Sequence, residues 1–268
     1  MTRLHLIEIH EQPWCPPGIR DGATDCLNVV ANVGRQYHHV LPRLRRALRA
    51  TNSPRIVDLC SGGGGPWLSL HRRLDGADGD AIPILLTDLH PNLPAMHAAR
   101  AQAPGRIDYI TRPVDATHVP ADLIGFRTLF TAFHHFPPPT ARAILQDAVN
   151  DGQGIAIFEQ TRRHPLALLL MLILPWLAFW VVPFIQPFRF SRLFWTYIIP
   201  AIPLVLCWDG MVSCLRTYSP RELCALAAGL AGPPYRWDIG RVPSPISPIG
   251  VTYAIGAPVS NSEQTALE

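Results

Sequence analysis

Four consecutive glycines, Gly62 to Gly65, follow directly on the run Ile56-Val57-Asp58-Leu59-Cys60-Ser61. A buried strand that ends in an acid and runs into glycines makes a tight turn whose backbone a ligand can approach closely. Glycines in series lose much conformational freedom on ordering, so close approach is the expected reason for them. The turn alone does not choose among nucleotide-containing ligands. A second apolar run, Ile84-Leu85-Leu86-Thr87, ends at Asp88, an acid placed to accept hydrogen bonds from ribose hydroxyls. A solvated strand-end acid or a cap for the next helix is the bland reading of the same residue.

Further along stand His134 and His135, at the end of Phe130-Thr131-Ala132-Phe133. Imidazole takes up a proton near neutral pH with little retuning, which makes either histidine a candidate general base; scaffold roles compete. Asp209 and Arg216 flank Gly210 to Leu215 and suit a structural ion pair, while Asp209 is alternatively an acceptor facing a substrate. The opening segment holds Trp14 and Arg20, candidate lid residues, although simple packing of Trp14 is an equal reading. The scattered histidines and the six cysteines form no recognisable ligand set, so no metal is expected.

The elements that must position these residues alternate. A polar opening reaches about Asp25, and apolar residues at steps of three and four predict one helix over Leu27 to Arg49, with Pro42 to kink or divide it. Strands are expected at Ile56 to Leu59, Ile82 to Thr87, Ile107 to Ile110, Thr128 to Phe133 and Gly154 to Phe158. Helices are expected at Trp67 to Leu74, Leu93 to Gln102 and Thr140 to Val149. This rhythm implies a mostly parallel sheet covered on both faces, with ligands beyond the carboxyl ends of its strands. Ser219-Pro220-Arg221-Glu222 reads as a capped helix start for Arg221 to Leu230, and Tyr235 to Val242 and Ile249 to Ile255 as two strands around a Pro- and Ser-rich loop. The residues after Pro258 read as a frayed tail.

Taken in order, these segments resemble the class I S-adenosylmethionine-dependent methyltransferases of small-molecule type. Asp58-Leu59-Cys60-Ser61-Gly62-Gly63-Gly64 is similar to their first motif, an acid followed by three glycines at alternate positions, with Cys60 where the first glycine is usual. Ile84 to Leu89 is similar to the strand whose terminal acid holds the adenosyl ribose, and Val114-Asp115-Ala116 to the segment that meets the adenine amino group. Phe130 to Phe136 resembles the fourth-strand motif beside the methionyl part, and Gly154 to Glu159 the fifth strand. The likeness covers roughly residues 50 to 160 well and the closing helix and strands loosely.

It implies an α/β, Rossmann-like fold: a mostly parallel seven-stranded sheet with helices on both faces and a hydrophobic helical insertion after the fifth strand. The cofactor implied is S-adenosyl-L-methionine, held by Asp58, Cys60, Ser61, Gly62, Gly64, Asp88, Leu89, Asp115, Ala116 and Thr131. An NAD-dependent oxidoreductase competes less well, because the chain contains no Lys and so lacks the Tyr and Lys pair of many hydride-transfer sites. A noncatalytic S-adenosylmethionine-binding or membrane scaffold is the alternative from a different class.

The organisation expected is a helical cover at 1–50, a cofactor-binding core at 51–160, an apolar insertion at 161–218 and a closing helix and strands at 219–268. Pro165 to Ile185 contains no charged residue and is long enough to cross a bilayer, but Pro175, Pro183 and Pro187 interrupt it; Leu193 to Trp208 is a second, shorter apolar stretch. A substrate lid or access channel touching a membrane surface is favoured over a buried or homodimer surface and over true insertion, with Trp195 and Tyr197 as substrate contacts. The acceptor implied is small and apolar or amphipathic. A net charge of +3 and a greasy rather than basic insertion argue against nucleic acid. With no secretory leader and no paired cysteine spacing, a cytoplasmic location, peripheral at the inner membrane face, is expected.

Overall fold

The short apolar runs are too brief to stand alone and bury themselves side by side. In the computed structural model, which describes residues 1–74, 81–244 and 247–259, they form one seven-stranded sheet. Its strands are β1 (Ile56–Asp58), β2 (Ile84–Leu86), β3 (Ile107–Tyr109), β4 (Phe126–Phe130), β5 (Ile155–Glu159), β6 (Tyr235–Ser244) and β7 (Ser247–Pro258). They lie in the order β3-β2-β1-β4-β5-β7-β6. Pairings among β1 to β5 are parallel, and β7 runs antiparallel to both β5 and β6. The direction of winding reverses between β1 and β4, so the carboxyl ends of these neighbours flank the crevice where such sheets bind ligands.

Ten helices accompany the sheet among the described residues: α1 (Pro17–Val33), α2 (Leu41–Thr51), α3 (Trp67–Leu70), α4 (Leu93–Gln102), α5 (Pro138–Asn150), α6 (Pro165–Ile173), α7 (Ala178–Val181), α8 (Phe190–Leu193), α9 (Ala201–Arg216) and α10 (Pro220–Ala228). On one face Leu44, Leu48, Trp67 and Met96 pack against Ile56, Ile84, Leu86 and Phe158. On the other, Ile144, Leu145 and Leu223 pack against Val57, Leu129 and Ile157. Every residue of β1, β2 and β5 is buried, which is why these strands read as unbroken apolar runs.

Three elements differ from the sequence expectation. The single helix expected over Leu27 to Arg49 is two: α1 begins at Pro17, and the chain breaks at Gly34 and Arg35, where Arg35 adopts φ 49°. Pro42 does not kink a helix but opens α2, a position that needs no N–H donor. The polar-looking stretch before Leu27 is helical because Ile19, Ala23 and Cys26 pack on Val182, Ile202 and Val205 of the insertion, a partner no local pattern reveals. The stretch expected as a loop between the last strands is strand up to Ser244 and again from Ser247. The expected tail beyond Pro258 lies outside the described residues from 260 onward. The cap at α10 forms as the sequence foretells: Ser219 accepts from the Glu222 N–H, and the Glu222 carboxylate accepts from the Ser219 N–H.

The insertion is helical. Pro165–Phe184 is one continuous helical path, tightened at Pro175 and Pro183, and is long and apolar enough to cross a membrane by length and composition. Only 22 % of its most apolar window is buried. α6 lies along α9, where a side chain at Gly210 would meet Met171. The segment Phe190–Ile198 and α9 meet at a bend of 79°.

Candidate active site

β1 ends in Asp58, whose carboxylate is turned inward. Its Oδ1 accepts from Thr128 Oγ1 of β4 at 2.6 Å and its Oδ2 from Ser61 Oγ at 2.7 Å, while the Thr87 N–H donates to its carbonyl at 2.9 Å. Asp58 thereby joins β1, β2 and β4 to the glycine loop, and it is a brace rather than a ligand-facing group. Burial pushes its pKa up to about 7, despite the hydrogen bonds from Thr128 and Ser61.

The loop then takes a left-handed path. Cys60 has φ 56°, Gly62 53°, Gly64 106° and Gly65 55°. Cys60 performs a turn that a glycine adopts without strain, at a cost of roughly 1–2 kcal/mol for an L side chain. Ser61 is buried and its N–H donates to the Thr87 carbonyl at 3.0 Å, locking the loop to the end of β2.

Asp88 lies beyond that strand end. Its Oδ2 accepts the Gly62 N–H at 2.7 Å and its Oδ1 the His90 N–H at 2.8 Å. The Val114 N–H donates to the Asp88 carbonyl at 2.9 Å, which draws the segment after β3 alongside. Asp115 follows, exposed, its Oδ1 accepting from the Thr117 N–H at 2.8 Å and Oγ1 at 2.7 Å. Burial, then the charges of Asp88, Asp58 and Asp115, push the Cys60 thiol well up. Leu89 is exposed beside them and Ala116 is buried.

The sequence reading missed what covers the loop. A Cβ on Gly63 would lie 2.0 Å from Asn28 Nδ2, and one on Gly62 3.6 Å from Thr24 Cγ2, so α1 rests directly on the glycines. Asn32, one turn on, donates to the Gly65 carbonyl at 2.9 Å and accepts the Ser69 N–H at 2.9 Å. Thr24, Asn28 and Asn32 recur every four residues on one helix face, a polar stripe that was the available signal. Tyr37 is also new: its buried hydroxyl hydrogen-bonds Thr131 Oγ1, and Thr131 itself holds φ 45° after β4.

Past Thr131, His134 and His135 sit in a tight turn and are brought against the amino-terminal segment. His134 is 1 % exposed; its N–H and Nδ1 engage the two oxygens of Glu159, at 3.1 and 2.8 Å. Burial works against charge in both groups, yet their mutual attraction holds the histidine up and the glutamate down. His135 is partly exposed, with Nδ1 2.6 Å from Glu11 Oε1; burial and the neighbouring His134 lower its pKa. Asp209, a candidate substrate acceptor, instead accepts the Ile9 N–H at 2.6 Å, the His10 N–H at 3.0 Å and faces His10 Nδ1 at 2.8 Å. The ion pair envisaged between Asp209 and Arg216 does not form: Arg216 binds both oxygens of Glu11 at 2.9 Å and lies 3.3 Å from Glu8.

The candidate substrate contacts are not gathered at one point. Arg20 donates to the carbonyls of His10, at 2.9 Å, and Gln12, at 2.8 Å, and so ties the opening segment to α1. Trp14 is exposed. Trp195 packs on Gly18 of α1, and Tyr197 donates its hydroxyl to the Phe179 carbonyl within the insertion.

No protein-family model matches the chain, and no curated protein is similar to it in sequence. Solved structures are similar in fold. An O-methyltransferase of neocarzinostatin biosynthesis, crystallised with S-adenosylmethionine and 2-hydroxy-5-methyl naphthoic acid, superposes with a TM-score of 0.51 at 16 % identity, covering 91 % of this chain and 59 % of its own. A candidate O-methyltransferase of Nostoc punctiforme gives 0.51 at 12 % identity, covering 96 % and 64 %. The fold is that of the class I methyltransferases. The chain spans about three fifths of the length of these two proteins. The glycine loop, Asp88 and Asp115 follow the carboxyl ends of β1, β2 and β3 in turn, on the β1 side of the crevice between β1 and β4.

Proposed function

We propose that the chain transfers a methyl group from S-adenosylmethionine to a small apolar or amphipathic acceptor. One observation carries the reading: a left-handed glycine loop after β1 is hydrogen-bonded to Asp88 beyond β2, and the Asp88 carbonyl holds the segment of Val114 and Asp115 alongside, at the carboxyl ends of these strands. The donor set suits the cofactor. Gly62 and Gly64 bear no side chain at positions where an L side chain would also be strained, Asp88 has lone pairs for a ribose diol, and the exposed Asp115 can accept from an adenine amine. When bound, S-adenosylmethionine supplies an electrophilic methyl on sulfur. The protein's own part is orientation: α1 closes over the loop through Thr24 and Asn28.

Isothermal titration with S-adenosylhomocysteine tests the cofactor, and transfer of a radiolabelled methyl group to a panel of hydroxylated aromatic and lipid-like acceptors tests the activity. Saturable binding and labelled product are expected. A protein that binds no S-adenosylhomocysteine sinks the reading, and one that binds it but labels no acceptor favours the noncatalytic alternative.

The acceptor's character rests on the insertion. Trp180, Phe184 and Phe190 are 78, 80 and 80 % exposed, with Arg162 and Arg163 before the helix, an arrangement suited to lying on a lipid surface. We take the insertion to rest on the inner membrane face and admit acceptors from it; α9 is held to the protein through Asp209 and Arg216.

A further inference from the structure

The geometry points to a divalent transition-metal site formed by Glu8, His134 and His135, apart from the glycine loop. One ligand atom from each lies within 4.8 Å of the others. Glu8 Oε1 is 3.7 Å from His134 Nε2, and Glu8 Oε2 is 3.5 Å from His135 Nδ1. Ligands about 2.1 Å from a tetrahedral metal are separated by roughly 3.4 Å; each histidine nitrogen lies near that spacing from one oxygen of Glu8, and an ion would take the place of Glu11 Oε1 beside His135 Nδ1.

Two unsatisfied atoms mark the centre. Glu8 is fully buried and His134 is 1 % exposed, yet Glu8 Oε2 and His134 Nε2 make no hydrogen bond among the described residues. A buried polar atom left in this way costs about 1–3 kcal/mol, more when charged, and calls for a partner. The surrounding contacts are those that orient metal ligands. Glu159 holds His134 through Nδ1 at 2.8 Å, leaving Nε2 directed away from it, and Ser213 donates to Glu8 Oε1 at 3.0 Å.

Charge argues the same way. Glu8, Glu11, Glu159 and Asp209 crowd this region, and among the described residues Arg216 is the guanidinium in contact with Glu8 and Glu11. A cation between Glu8 and the two imidazoles would offset that negative charge. Two imidazoles and a carboxylate favour zinc, iron(II), cobalt(II), nickel(II) or manganese(II) over magnesium or calcium. Three protein ligands would leave a coordination position for water. Such an ion also fastens the amino-terminal segment to the turn after β4, joining residues far apart in the chain.

The site stands independently of the cofactor, and its test needs neither cofactor nor acceptor. Chelator-stripped protein is titrated with cobalt(II) and followed by visible absorption, and with zinc(II) by calorimetry. One equivalent per chain is expected, cobalt being displaced by zinc. Glu8→Gln and His135→Ala should each weaken uptake by at least about tenfold. Because Glu8 is buried, circular dichroism and S-adenosylhomocysteine binding establish whether that variant folds; His135 is more exposed and gives the second reading. Unsaturable or absent uptake by the wild type overturns the proposal. Equal uptake by folded variants also overturns it. Protein that binds S-adenosylhomocysteine but no metal refutes the metal site alone.

Discussion

The main-chain N–H of Gly62 donates to Asp88 Oδ2 across 2.7 Å, tying the glycine loop after β1 to the acid that ends β2. The acid proposed to hold a ribose therefore also sets the shape of the loop. Replacing Asp88 with Ala should weaken S-adenosylhomocysteine binding by about ten- to a hundredfold, the worth of one or two charge-assisted hydrogen bonds. Calorimetric titration of the variant measures this. Undiminished affinity would remove Asp88 from the site.

Cys60 at φ 56° makes a prediction opposite in sign to the usual effect of glycine. Cys60→Gly should stabilise the fold by up to about 1 kcal/mol or leave it unchanged, because relief of left-handed strain offsets the greater freedom of the unfolded chain. Cys60→Val should destabilise by about 1–3 kcal/mol. Urea unfolding of both variants gives the two signs.

Asp58 predicts a pH dependence. Its folded pKa of about 7 is above the ordinary carboxylate value of roughly 3.9, so the folded state binds the proton more tightly than the unfolded chain. This contribution to stability is full below about pH 4, falls as pH rises toward 7 and is flat above. Asp58→Asn, which keeps Thr128 and Ser61 within hydrogen-bonding reach, should remove that slope. Denaturant unfolding from pH 4.5 to 8 should show the variant gaining on the wild type by a few kcal/mol, on the order expected from linkage. Parallel curves would place the titration elsewhere.

Asp209 anchors the opening segment through Ile9 and His10. Asp209→Ala leaves these donors unpaired and should speed hydrogen exchange and proteolysis over residues 1–16 far more than in the sheet. Protection unchanged in that segment would mean Arg20 and Arg216 hold it alone.

The exposed apolar face predicts that Trp180→Glu with Phe184→Glu abolishes co-sedimentation with anionic phospholipid vesicles while leaving thermal stability within a few degrees. If the wild type instead dimerises without vesicles and the double variant does not, the face is an interface between two copies.

Much of the sheet was legible because its code is local. Fully buried strands are short apolar runs, glycines mark the turn after β1, Asp88 marks the end of β2, and Ser219, Pro220 and Glu222 announce α10. Each signal depends on neighbours within a few residues. The stretch before Leu27 was illegible for the contrary reason: its helix is justified by Val182, Ile202 and Val205, which lie far along the chain.

The same division runs through the site. Residue types and spacing by themselves determined an α/β sheet, a glycine turn after β1 and an acid beyond β2. Only the tertiary structure decided that Asp58 is turned inward, that Asn28 lies on Gly63, and that Glu8 meets His134 and His135. Those contacts join positions more than thirty residues apart, and they are made by packing and by the pairing of buried charge, which act through space and leave no period in the sequence.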